Sequence, residues 1–288
     1  MCDSKQDEGR KWYSPTNDLV FKAVFGDKEY TDITERYLKS ILDLPDSEFE
    51  SISFTNPYVA GENIESKDVI LDIKLSTRSG RIIHIEMQMA SEPSFRERML
   101  FYSSRLISRQ LKEGKEYTDI NPVISIVVSN FKLITENDEY HNCFELFDKN
   151  TGARLTDYLQ IHSLDLTKLN GVYCKRNDSE LIAWLRFIQA GEEAEMMEIV
   201  KSNPDIPEMK KASDVVKRVN VVWDEQFAAD YRDKVRRDEL SLRNYALNAE
   251  KIGIEKGIEI GKLEGRAELI DKMKDKGYTD DEIAEIIQ

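Results

Sequence analysis

The sequence predicts an α/β core followed by a helical, heavily charged C-terminal region, and three stretches carry that reading. VILDIKLSTRSGRIIHIEMQM, residues 69–89, alternates side-chain character on either side of a short turn, as two antiparallel strands do. PVISIVVSNF, residues 122–131, is a short apolar run led by β-branched residues, which suits a strand buried on both faces. Between them, SFRERMLFYSSRLISRQLKEG (94–114) reads as a helix long enough to return the chain for parallel pairing.

The remaining elements follow in order. SPTNDLVFKAVFG (14–26) opens a helix that Thr16 or Asn17 can cap, with Leu19, Val20 and Phe21 beginning its apolar face. TDITERYLKSILDL (31–44) is a second helix, with Ile33, Tyr37, Leu38, Ile41 and Leu42 at helical spacing. In the 94–114 helix, Ser94 and Glu97 form a capping box and Gly114 suits the C-terminal stop. Residues 142–166 read as one or two further strands around the turn KNTG. The expected organisation is a polar tail over 1–13, an α/β core over 14–175 and a helical region over 176–288.

In that last region Gly253, Gly257, Gly261 and Gly265 recur every four residues. Each helical glycine costs about 1 kcal/mol relative to alanine. Close packing on a second copy or a partner would offset this, so a homo-oligomer is expected through that helix. GYTDDEIAEII (277–287) carries a capping box in Thr279 and Glu282 and reads as a small docking helix.

Composition narrows the function classes. The chain has 288 residues, 40% of them hydrophobic, enough for one large domain or a domain with an appendage. Three cysteines without C-x-x-C spacing point to a reducing cytoplasm and away from structural zinc or disulfides. No apolar run approaches the roughly 20 residues that span a bilayer, so no membrane partner is expected. The net charge of −14 opposes nucleic-acid binding unless divalent cations and a locally basic surface compensate.

The hairpin carries the chemistry. Val69, Leu71, Ile73 and Leu75 share one face of its first strand, and Ile70, Asp72 and Lys74 the other. On the second strand His84, Glu86 and Gln88 share a face, opposite Ile83, Ile85 and Met87. A three-residue loop Arg78-Ser79-Gly80, with Gly80 at positive φ, sets Asp72 across from Glu86, Lys74 across from His84 and Ile70 across from Gln88. Two facing carboxylates repel unless something positive lies between them. A hard divalent cation suits that place, and it can activate a water and neutralise a phosphodiester. A solvated polar face is the alternative.

SPTNDLVFKAVFGD, ESKDVILDI, IHIEMQ, FRERMLFYSSRLISRQLKEGKEY and NPVISIVV, taken in order over residues 14 to 130, resemble the PD-(D/E)XK nucleases. More specifically they look like the Rpn group, the recombination-promoting nucleases also described as PD-(D/E)XK family transposases. The resemblance implies a restriction-endonuclease-like core, a mixed sheet flanked by helices, and a Mg²⁺- or Mn²⁺-dependent DNA endonuclease. It implies that Asp72 and Glu86 ligate the metal, that Gln88 stands where the general nuclease motif has lysine, and that Asp18 on the first helix faces the site. Glu35 is a weaker candidate for the role of Asp18, and Lys67 matches a motif of undefined role. Glutamine supplies dipoles where lysine supplies a charge; Lys74, on the face of Asp72, is the candidate substitute. Arg98, Arg105 and Arg109 fall on one stripe of the 94–114 helix and are candidate phosphate contacts, giving weak, salt-dependent DNA affinity. The runner-up function is a non-catalytic, oligomerising interaction protein on the same fold.

Overall fold

The computed structural model describes residues 12–56, 58–59, 69–70, 72–111, 114, 116–169, 179–222, 265, 269–270, 272–273 and 286. The chain divides into two compact units, Met1–Trp223 and Asp224–Gln288. In the second, the described residues are helical. The other glycines of the four-residue repeat, and most of the expected docking helix, lie outside the described residues, as does Lys67.

The first unit opens with α1 (Asp18–Phe25), which begins where Asn17 takes up an extended conformation. The Asn17 side chain accepts the N–H groups of Leu19 and Val20, two of the donors that a helix start leaves open. Val20, Phe21, Val24 and Phe25 are fully buried on one side of α1. The amphipathic α2 (Thr31–Ile41) packs against it, with Phe25 and Tyr37 rings 4.7 Å apart. A single turn, α3 (Asp46–Phe49), follows.

The strands come next: β1 (Ser53–Phe54), β2 (Tyr58–Val59), β3 (Val69–Ile70), β4 (Ile73–Ser76) and β5 (Ile82–Gln88). The long helix α4 (Phe95–Ser108) leads to β6 (Val123–Ser129), then β7 (His141–Phe147) and β8 (Arg154–Asp165). Among the described residues they build one mixed sheet in the order β1-β4-β5-β6-β8-β7 and a separate β2-β3 pair. β5, β6 and β8 run parallel, and the outer pairs are antiparallel. The α/β fold with a mixed sheet flanked by helices is therefore as the sequence predicts.

Three local expectations change. The first strand of the hairpin is not continuous: β3 pairs with β2, so Ile70 lies opposite Tyr58 rather than Gln88. Ser94 makes no side-chain cap to α4, because its backbone at φ −102°, ψ 24° departs from the extended form that directs an N-cap side chain onto the helix. α4 also stops at Ser108, capped by Arg109, and the left-handed Gly114 (φ 82°) lies beyond it.

Both faces of the sheet are covered. On one, Ile83, Ile85, Ile124, Ile126 and Leu164 join the core with α1, α2 and three later helices. These are α5 (Ser179–Gln189), α6 (Glu193–Ser202) and α7 (Pro207–Val222). Trp184 of α5 is fully buried, 5.9 Å from the Phe25 ring and 6.0 Å from Tyr37. The expected division after residue 175 therefore falls inside the first unit. On the other face α4 lays Phe95, Met99 and Leu106 over Val123 and Val127.

Candidate active site

The β4–β5 register pairs Ile73 with Ile85, Lys74 with His84 and Leu75 with Ile83. Gly80 takes φ +90° in the intervening loop, as the three-residue turn requires. Continuing that register by one residue sets Asp72 across from Glu86. Asp72 sits just outside β4, and its Oδ2 accepts the Met87 N–H at 2.9 Å. The carboxylate thus takes an N–H beyond the last paired residues of β4, which fixes it at the edge of the ladder.

Glu86 and His84 point away from the main core and beneath α4. The polar face of β5 is buried, not solvated: His84 is 2% exposed and Glu86 7%. Glu86 Oε1 accepts the Gln88 Nε2–H at 2.6 Å and the Arg98 Nη2–H at 3.0 Å. Its Oε2 lies 3.6 Å from His84 Nε2. Burial raises the Glu86 pKa above the ordinary carboxylate value, against the opposing pull of Arg98 and Gln88. Burial also drives the His84 pKa down to about 4, against the charge of Asp72 and helped by Arg98 and Lys74. His84 is therefore a neutral imidazole at pH 7, and among the described residues neither ring nitrogen has a hydrogen-bond partner.

Positive charge reaches the carboxylates from two helices. Lys22, on α1, places Nζ 3.0 Å from Asp72 Oδ1 and 3.5 Å from Asp18 Oδ2. Burial opposes the Lys22 charge, but Asp72 and Asp18 outweigh it and hold its pKa above the usual lysine value. Arg98, on α4, bridges Glu86 and Glu92, the latter at 2.7 Å, with its guanidinium 4.5 Å from the Phe95 ring centre. Tyr102, one turn on, feels Arg98, Glu86, Glu92 and Asp72, though burial dominates in raising its pKa.

The sequence-derived candidates are thus only partly gathered. Asp18 and Asp72 share Lys22, and Gln88 bonds Glu86, which the β4–β5 register sets across from Asp72. Lys74 stands opposite His84, its pKa lowered first by burial and then by the charge of Arg109. Arg98 lies against the site, whereas Arg105 is 7% exposed with its guanidinium 5.7 Å from the Phe101 ring. Glu35 pairs with Lys39 on its own helix at 3.0 Å. Lys22 was missing from the expected set, and its signal was the four-residue spacing from Asp18 on one helix face.

Among the described residues no three His, Cys, Asp or Glu side chains cluster to hold a metal. Asp72 and Glu86, set across from one another by the register, nonetheless suit a hard divalent cation such as Mg²⁺, which binds one or two carboxylates and keeps several waters. Among the described residues, no helix is long and apolar enough to cross a membrane.

A family model for the PD-(D/E)XK nuclease family transposases matches residues 15–246, which include every residue of this site. Searches of curated proteins and of solved structures returned no match.

Proposed function

The chain belongs to the PD-(D/E)XK nuclease family transposases, and from that membership we propose that it is a Mg²⁺-dependent endonuclease hydrolysing DNA phosphodiester bonds. The family is one of divalent-metal nucleases, and DNA is the substrate it implies. The observation that carries the reading is the register that sets Asp72 across from a buried Glu86, with Gln88 bonded to Glu86 at 2.6 Å. A solvated hairpin face has no reason to bury this carboxylate beneath a helix, because desolvating it without a functional return only costs stability.

Asp72 and Glu86 would hold the cation. A cation held there would supply polarisation of the phosphate and a lowered pKa for the attacking water. The chain's own residues do the rest. Before substrate arrives, Lys22 pairs with Asp72 and Arg98 with Glu86. Gln88, released from Glu86, donates its amide N–H groups to a phosphate oxygen or to the attacking water. Arg98, Arg105 and Arg109 provide the basic stripe, and Lys74 adds charge at its edge. With a net charge of −14 over the whole chain, DNA affinity is weak and falls as salt rises. The segment with glycine every fourth residue would assemble copies of the chain. The biological setting is recombination or mobile-element activity in a cytoplasmic compartment.

Plasmid cleavage in Mg²⁺ tests this. Wild type nicks or linearises the DNA, and Glu86→Ala loses activity by at least about 10²-fold, the size expected for removing a principal electrostatic element of a site. Equal activity in the two rules out the site. If both are inert, the non-catalytic interaction protein is the better reading.

A further inference from the structure

In the proposed nuclease, Gln88 leaves one element unsupplied. A glutamine orients groups with dipoles but brings no charge to the attacking water or the phosphate. Three cations stand near the carboxylates, and their geometry separates them. Arg98 is fixed between Glu86 and Glu92 and stacked on Phe95. Lys74 faces His84 across the hairpin, with the charge of Arg109 acting on it. Lys22 alone of the three bonds Asp72, at 3.0 Å, and its side chain is still 32% exposed.

We propose that Lys22 replaces the motif lysine from a different element: it neutralises Asp72 in the metal-free protein and turns to the scissile phosphate and attacking water when metal and DNA bind. This rests on the nuclease reading and names the cation that reading lacks. The backbone of α1 is well suited to deliver it. Asn17 caps the helix, and Val20, Phe21, Val24 and Phe25 anchor it at full burial, so the stem of Lys22 starts from a fixed point. Its side chain is 32% exposed, so the ammonium has solvent beside it into which it can turn. Asp18, 3.5 Å away, keeps the ammonium at the site once Asp72 turns to the metal, which makes Asp18 a positioning residue. A divalent cation and an ammonium compete for the same Asp72 oxygens, so the two occupy Asp72 in turn.

The competition gives a readout independent of cleavage. Titrating the full chain with Mg²⁺ alone by calorimetry, Lys22→Met binds the metal about tenfold more tightly than wild type, because a unit charge 3.0 Å from Asp72 Oδ1 is removed. Lys22→Arg keeps the charge and retains wild-type affinity. On plasmid DNA, Lys22→Met cleaves about 10²-fold more slowly. Lys22→Met combined with Gln88→Lys, which returns a lysine to the strand, recovers most of that loss. A Lys22→Met protein that binds Mg²⁺ with unchanged affinity overturns the proposal, as does one that cleaves like wild type. If wild type does not cleave, the nuclease reading fails, and the proposed catalytic task of Lys22 fails with it. A tenfold gain in affinity in that case upholds only the exchange at Asp72.

Discussion

His84 and His162 show how single side chains set the acid limit of this fold. His162 is 6% exposed on β8, with Nδ1 2.9 Å from His141 Nε2 and Nε2 3.6 Å from Cys143 Sγ. Burial, with the neighbouring His141 charge, lowers its pKa to about 4, the value burial also imposes on His84. In the unfolded chain both titrate near the ordinary 6.5. Between pH 6.5 and 4 the unfolded state therefore binds more protons than the folded one. Stability that is complete above about pH 6.5 is lost as pH falls towards 4, on the order of 3 kcal/mol for each histidine. Urea unfolding of His162→Gln at pH 7 and pH 4.5 checks this: the variant loses less stability on acidification than wild type. A parallel loss in both proteins refutes the linkage. Glu86 runs the other way: burial raises its pKa, so its share of the acid–base linkage is lost as pH rises rather than as it falls.

At the scale of elements, the β4–β5 hairpin and helix α1 carry the proposed site. The hairpin depends on Gly80, whose φ of +90° few L-residues adopt, and whose added Cβ would come within 2.9 Å of Asn121 Oδ1. Asn121 is itself held by Gln110, which accepts its N–H at 2.8 Å and donates to its carbonyl at 2.9 Å. Gly80→Ala is therefore expected to destabilise the protein by at least about 1 kcal/mol in chemical denaturation and to weaken Mg²⁺ binding, because it disturbs the register that sets Asp72 across from Glu86. An unchanged midpoint would mean that the loop does not set the register. The turn was legible in the sequence because positive φ singles out glycine. The break between β3 and β4 was not, because Leu71 and Asp72 continue an alternating pattern that a straight strand would also show. Only the pairing of β3 with β2 withdraws it from the sheet.

For the whole molecule, α5–α7 matter more than their charged sequence suggests. Trp184 fills the space between Phe25, Tyr37 and Phe187, so a chain ended at residue 175 leaves the largest buried side chain of the core missing. Such a truncation is expected to lose cooperative thermal unfolding by circular dichroism, because removing a large core aromatic costs about 3–5 kcal/mol, and here three helices leave with it. A cooperative transition in the shortened chain would show the 14–175 core to be independent. Local pattern determined much of this protein by itself: the α/β class, the crossover between β5 and β6, the Asn17 cap, the common face of Glu86 and Gln88, and the expectation that Asp72 meets them. Periodicity and turn chemistry act over a few residues, so a sequence displays them. The tertiary structure alone decided that the polar face is buried, that α5–α7 share the core, and that Lys22 and Arg98 bring charge to Asp72 and Glu86. Those facts join residues 50 positions apart, or bring a helix over a strand, and distance along the chain carries no record of distance in space.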